Sequence, residues 1–293
     1  MHHKTDFSHA MQHAGLCPPT PIIGDGWLHR FDTKSKGYKN GWYIYYGEYG
    51  VFGDWSRNIR ETWQARTLIL HLYDGALSTK IETARKQREA ELEKKYSEAA
   101  QKALALWDKA HEVTTHPYLQ QKQVEAFGLR QDGNSLLIPL RDIEGKLWSL
   151  QTINLEAKLP KTFFRDGKKK GCFHPIGTLE NSKPFFVAEG YATGASVHMA
   201  TGLPVVVAFD AGNLEPVIAS LRTVYPNSPI TIAADNDQWG EVNTGKIKAE
   251  EAARKHGCKV VLPTFSTTIL QQCEAKGLPL PTDWNDKHVW EGF

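Results

Sequence analysis

The sequence predicts an α/β protein (α+β overall). A C-terminal parallel sheet flanked by helices is preceded by a basic mixed subdomain and a small N-terminal antiparallel sheet. Three observations carry this reading. Short apolar runs at 184–188, 205–209, 230–234 and 257–263 alternate with helical patterns, as buried strands joined by right-handed crossovers do. Aromatic-rich runs between 27 and 55, broken by Gly and Lys, read as antiparallel strands. A stretch at 81–113 rich in Ala, Glu, Lys, Gln and Arg, without Gly or Pro, reads as a helix between the two. The boundaries that follow are an N-terminal arm at 1–19, an aromatic-rich β module at 20–78, a charged linker helix at 79–115, a basic subdomain at 116–180 and the parallel-sheet domain at 181–293.

Residues 1–19 read as an irregular or short helical arm. In the β module, strands at 27–31, 41–46 and 49–55 flank a turn carrying Lys34, Lys36 and Lys39. Its aromatics, Trp42 and Trp55 among them, fit either the core of a small sheet or a face on which single-stranded DNA bases stack while Lys39 and its neighbours meet phosphate. In the linker helix, Leu92, Tyr96, Ala99, Ala103, Leu106 and Ala110 mark a narrow apolar stripe; its charged first half is expected to project into solvent. Residues 135–140 and 147–153 form a predicted hairpin about a turn at 142–145. A basic run follows: Lys158, Lys161, Arg165, Lys168, Lys169 and Lys170 put six cations within thirteen residues, interrupted by Phe163 and Phe164. Such a run is either a solvated loop or a polyanion contact; its place just before an acidic site favours the contact. Beyond it, helices at 192–201, 214–224 and 244–255 alternate with the predicted strands.

Composition excludes several classes. Lys plus Arg total 35 and Asp plus Glu 33, so the net charge of +2 is not that of a nucleic-acid coat protein. The four cysteines are far apart and include no Cys-x-x-Cys pair, so neither a zinc ribbon nor a disulfide scaffold is expected. No apolar run approaches the roughly 20 residues of a membrane span, and 1–19 lacks the apolar core of a signal peptide. A cytoplasmic protein with no membrane partner is expected. Gly190 and Gly194 have neither the spacing of a dinucleotide fingerprint nor the Gly-Lys-Ser/Thr of a phosphate loop.

The candidate chemistry sits at strand ends. In parallel sheets ligands bind just past the carboxyl ends of the strands. Glu189 follows the run at 184–188, and Asp235 and Asp237 follow the run at 230–234, so one sheet edge presents all three. Hard divalent cations take such oxygen ligands, which makes Glu189, Asp235 and Asp237 a predicted Mg²⁺ (or Mn²⁺) site. Asp210, at the end of the run at 205–209, suits a turn or cap as well as it suits metal ligation.

These residues carry a resemblance. An apolar strand ending in Glu189-Gly190 and another ending in Asp235-Asn236-Asp237 resemble the Toprim domain. Residues 189–196, 205–214 and 282–286, with His116-Pro117-Tyr118-Leu119 ahead of Gly128-Leu129-Arg130, are similar to Toprim (DnaG-like) DNA primases of phages and conjugative plasmids over roughly 20–290. Many Toprim domains have an acidic residue soon after Glu-Gly; 191–196 has none. The resemblance implies short RNA primers made on a single-stranded DNA template from NTPs by two-metal transfer. It implies Glu189, Asp235 and Asp237 as catalytic residues, Asp283 and Asp286 as further metal ligands, and Lys161, Arg165, Lys168, Lys169 and Lys170 on template or nucleotide. No zinc is expected, although bacterial-type primases usually carry a zinc module; residues 20–65 would then replace it. A replicative helicase partner would be a separate chain. Two other classes stay open: a Toprim nuclease using the same carboxylates, and a non-catalytic single-stranded-DNA-binding or replication-accessory protein.

Overall fold

The structure, a computed structural model, describes residues 2–33, 39–57, 59–65, 75–240 and 243–292. Lys34 and Lys36 lie outside the described residues. The chain forms two compact units, Met1–Leu92 and Glu93–Phe293.

The first unit joins helix α1 (His2–His13) to an antiparallel sheet of β1 (His29–Phe31), β2 (Gly41–Tyr45), β3 (Tyr49–Asp54) and β4 (Ile59–Gln64) in sequential order. Strand alternation sends Phe31, Tyr43, Tyr45 and Phe52 into one core. Of the irregular or short helical arm expected at 1–19, residues 2–13 are helical, and that helix is packed into the sheet's core. Phe7 and Met11, one helical turn apart on α1, are both fully buried in that core. Phe7 stacks on Tyr45 at 4.7 Å and meets Tyr43 and Phe52 edge-on. A Cβ on Gly50 would lie 2.3 Å from the Phe7 ring, so the helix can approach only because β3 has glycine there.

Helix α2 (Gly75–Lys109) crosses the boundary between the units. In its second half Ala99, Ala103 and Trp107 are buried; Leu92, expected on the same stripe, is exposed. Ala103 and Trp107 pack with Leu137, Leu147 and Leu150 of an antiparallel sheet. That sheet runs β5 (His111–Glu112), β6 (Arg130–Asp132), β7 (Ser135–Arg141), β8 (Leu147–Ile153) and β9 (Lys161–Phe163) in order, with α3 (Pro117–Lys122) between β5 and β6. The predicted hairpin is β7–β8.

A second sheet completes the larger unit. Its elements are β10 (His174–Ile176), β11 (Phe185–Ala188), α4 (Tyr191–Thr201), β12 (Val205–Val207), α5 (Leu214–Val224), β13 (Ile230–Ala233), α6 (Thr244–His256), β14 (Lys259–Val261), α7 (Thr267–Lys276) and α8 (Trp284–Glu291). Strand order is β10-β12-β11-β13-β14; β11 to β14 are parallel and β10 is an antiparallel edge. Period-2 alternation divides the apolar strands between two cores. Val187, Val206 and Ile232 pack on Val217, Ile218 and Leu221 of α5 and Ala249 and Ala252 of α6. Ala188, Val207 and Ala233 face the other way, onto α4 and the antiparallel sheet's Leu136, Ile138 and Leu140. Helix α4 is buried nearly all round, from Tyr191 to Val197, because it lies between the two sheets. Among the described residues no helix is long and apolar enough to cross a membrane.

Candidate functional site

Register places the carboxylates. Ala188 pairs with Val207 on one side and Ala233 on the other, so β11, β12 and β13 end level with one another. Glu189, Asp210 and Asp235 follow those ends, and Asp237 follows two residues later. Each strand end is held. The Asn236 side chain accepts from Asn243 Nδ2 at 2.8 Å, while Asn243 Oδ1 accepts the backbone N–H groups of Asp237 (3.1 Å) and Lys246 (3.3 Å). Asn243 thus caps α6 and pins the Asp235–Asp237 turn together. A Cβ on Gly245 would lie 2.8 Å from Glu189 Oε1 and 2.9 Å from the Asp235 carbonyl oxygen, so α6 can begin here only with glycine.

Burial and like charge dominate the electrostatics. Asp235 is pushed up to about 8, first by burial and then by Glu189, Asp283, Asp237 and Asp286. Glu189 is pushed up to about 7 by burial, then by Asp237 and Asp210. Asp283 is raised by burial and by Asp286. Glu189 Oε1 and Asp235 Oδ1 are buried without a hydrogen-bond partner. Unsatisfied buried carboxylate oxygens are costly, and hard oxygen donors of this kind fit a divalent cation such as Mg²⁺ or Mn²⁺. Among the described residues no three His, Cys, Asp or Glu side chains are already gathered as a ligand set.

Asp283 and Asp286 have a task the sequence reading did not foresee. They form a reciprocal capping box on α8: Asp283 Oδ1 accepts Asp286 N at 2.7 Å, and Asp286 Oδ2 accepts Asp283 N at 3.4 Å and Thr282 N at 2.9 Å. Both still act on Asp235, but Asp286 gives one oxygen to backbone donors. Asp210 likewise caps the 3₁₀ turn Ala211–Asn213 and is ion-paired to Lys169.

The basic run does not act as one surface. Lys161 on β9 feels Asp283 and Asp235, and Lys169 reaches Asp210 while lying 5.0 Å over the Phe163 ring. Arg165 is almost fully exposed beside Asp166. The Lys168 amine lies 4.3 Å over Trp148. Lys170 lines a separate groove of about 550 Å³ with Glu215, Lys248 and Lys255. The turn at Asp166 (φ 59°) and Gly167 fans these side chains apart; a Cβ on Gly167 would meet Ser149 Oγ at 2.2 Å.

In the first unit Trp42 is only 8% exposed, lying over Gly53 and against Trp55, so it belongs to the sheet and is not a stacking platform. Trp55 is 50% exposed with the Arg30 guanidinium 4.8 Å over its ring. Arg30 Nε donates to the Lys39 carbonyl oxygen at 2.9 Å, which sets Lys39 beside it.

Two supporting residues escaped the sequence reading. Buried Asn213 accepts from Gly171 N and donates to the carbonyl oxygens of Cys172 and Ala208, fastening the basic loop to the end of β12. The Tyr191 hydroxyl accepts from Phe127 N and donates to the Glu125 carbonyl oxygen, both at 2.7 Å. The Asp210-Ala211-Gly212-Asn213 and Glu189-Gly190-Tyr191 runs were the available signals.

Residues 185–293 match the family model described as Toprim domain. Two curated Escherichia coli proteins, each a DNA primase TraC, are 33% and 34% identical to this chain over 284 and 286 residues, 90% of its length in both cases. The chain spans 26% and 20% of those relatives. Among solved structures, the zinc-binding and RNA polymerase domains of the Aquifex aeolicus primase align with 98% of this chain and 80% of that one, at 12% identity and TM-score 0.41.

The raised carboxylates make the metal-free fold sensitive to pH. A carboxyl whose folded pKa lies above its unfolded value holds its proton in the folded state, so stability falls as pH rises from about 4 through the folded value. With Asp235 at about 8 and Glu189 at about 7, metal-free protein should melt at a lower temperature at pH 8.5 than at pH 6. Asp235→Asn should flatten that dependence and raise the melting temperature at pH 8.5. Identical pH slopes for the two proteins in thermal melts would contradict the assignment.

Proposed function

We propose that this chain is a DNA primase that makes short RNA primers on single-stranded DNA, with Glu189, Asp235 and Asp237 as its catalytic and metal-holding residues. The observation that carries this is the pair of buried carboxylate oxygens without a hydrogen-bond partner, one on Glu189 and one on Asp235, at the ends of adjacent parallel strands, inside the segment that matches the Toprim model. The similarity to DNA primases over 90% of the chain supports the reaction class. Bound here, Mg²⁺ or Mn²⁺ would neutralise charge on the attacking and leaving oxygens of the phosphoryl transfer.

The chain's own residues do the rest. Asp237, exposed at the rim, and Asp283, at the cap of α8, complete the acidic wall with Asp235; Asp286 acts chiefly by holding that cap. Glu189, at the strand end next to that of Asp235, would complete the cation site or assist proton transfer from an attacking 3′-hydroxyl. Lys161, which feels Asp283 and Asp235, and Lys169, ion-paired to Asp210, suit phosphate groups of template or NTP. Arg165, Lys168 and Lys170 are outlying contacts. Residues 1–293 contain no phosphate loop, so a helicase motor acting with this primase lies outside them.

The test is purified protein with single-stranded DNA, labelled NTPs and Mg²⁺ or Mn²⁺. A ladder of short RNA products is expected, and Asp235→Ala or Asp237→Ala should reduce it about 100-fold or more with unchanged circular dichroism. Cleaved DNA in place of RNA would move the chain to the nuclease class. DNA binding with neither product would make it an accessory protein.

The first unit is the proposed template-holding module, with Trp55 and Arg30 as its contact and Lys39 beside them. Stacking one base is worth about 1–3 kcal/mol, so Trp55→Ala should weaken single-stranded DNA binding roughly 5- to 150-fold in a fluorescence-anisotropy titration. Unchanged affinity would assign the module another task.

A further inference from the structure

Two exposed aromatic rings flank the acidic strand ends. Of the Phe, Tyr and Trp side chains among the described residues of the larger unit, only Phe163 and Trp239 are exposed, at 38% and 44%. Strand order runs β12-β11-β13, so Asp210, Glu189 and Asp235 follow one another along the sheet edge. Phe163 belongs to the Asp210 end. Its ring centre is 6.0 Å from that of Phe209 and 5.0 Å from the amine of Lys169, which is ion-paired to Asp210. Trp239 belongs to the Asp235 end, in the turn that begins at Asp237.

Trp239 is anchored there. Gly240 N donates to the Asp237 carbonyl oxygen at 3.2 Å and closes the turn that carries the ring. The indole Nε1 donates to the Pro281 carbonyl oxygen at 3.0 Å. Beside it, Asn236 N donates to the Thr282 carbonyl oxygen at 2.8 Å. The ring therefore bridges the loop of Asp235 and Asp237 and the loop that leads to Asp283, with its one polar atom satisfied. Phe163 has the Lys169 amine over its face; among the described residues no ring or cation lies over Trp239. A single exposed apolar side chain is ordinary. A ring whose edge is fixed across two acidic loops, with its face open, is a surface already ordered for a flat ligand. A nucleotide whose phosphates meet a cation at this wall carries a base to the same rim, and every base has a face that tryptophan can stack on.

We propose that Trp239 is a stacking platform for a nucleobase at the rim of the acidic site, the base belonging to a free nucleotide or to a single strand. The proposal rests on the primase reading for the reaction that this base enters; the base contact itself does not. A ring that served only to clasp the two loops would be needed for its bond to Pro281 and its bulk, and not for its aromatic face.

The experiment compares wild type with Trp239→Phe and Trp239→Leu. Both variants lose the bond to Pro281, but only Phe keeps a ring. Isothermal titration without DNA sets Mg²⁺-ATP and Mg²⁺-UTP against Mg²⁺-tripolyphosphate, which has no base. Fluorescence anisotropy without nucleotide sets a single-stranded DNA against an abasic strand of the same length. In wild type, at least one base-bearing probe should bind more tightly than its base-free counterpart. Trp239→Leu should reduce that difference roughly 5- to 150-fold, and Trp239→Phe should retain most of it. A loss in the titration assigns the platform to a free nucleotide; a loss in anisotropy assigns it to a strand. Equal losses in the Phe and Leu variants, or a base-dependent difference unchanged in Trp239→Leu, would overturn the proposal. So would wild type that binds the probes equally with and without bases. If Trp239→Leu does not fold, Trp239→Met decides by the same measurements. Wild type that binds bases through Trp239 yet makes no RNA would remove the primase reading and leave the platform standing.

Discussion

Buried like charge is the constraint around which the larger unit is built. Glu189 and Asp235 sit at the ends of neighbouring parallel strands, and each carries an oxygen without a hydrogen-bond partner. A fold does not keep two such groups together by their own attraction; they repel, and burial makes the charged forms costlier still. They stay together because the strands beneath them are fixed by cores on both faces of the sheet. The apolar alternation of β11, β12 and β13 therefore sets the position of the carboxylates as well as the stability of the sheet.

Most of the polar contacts around the site hold backbone. Asn243 joins the Asp235–Asp237 turn to the start of α6, Asn213 fastens the basic loop, and the Asp283–Asp286 box sets the α8 terminus. Phe209 takes φ 73° just past β12, a conformation unfavourable for an aromatic residue by about 1–3 kcal/mol, and so turns Asp210 toward Lys169. Neutral amides and helix caps hold the backbone beneath the acidic wall, as the proposed cation site requires.

The parallel sheet and the β7–β8 hairpin were legible because period-2 and continuous apolar runs report burial directly. The three main carboxylates were legible because strand ends in such sheets converge on one edge. What the sequence hid depended on the neighbour across a strand or a helix. Trp42 reads as a platform until Gly53 is found beneath it, leaving room for the ring to lie flat. The i, i+4 pair Phe7 and Met11 on α1 read only as part of an irregular or short helical arm because its partners, Tyr45 and Phe52, lie more than thirty residues away. The six-cation run read as a polyanion contact; its side chains reach different neighbours, Lys161 the Tyr118 ring, Lys168 the Trp148 ring and Lys169 Asp210.

The central claim is that Glu189 and Asp235 together hold a divalent cation at the end of the parallel sheet. Mn²⁺ binding followed by electron paramagnetic resonance tests it without requiring template, nucleotide or product. Wild type should bind Mn²⁺ with an affinity that falls as pH drops from 8 toward 6 and these carboxylates take up protons; Glu189→Gln and Asp235→Asn should each remove that binding while the fold is retained. Equal Mn²⁺ binding by wild type and both variants would contradict the account.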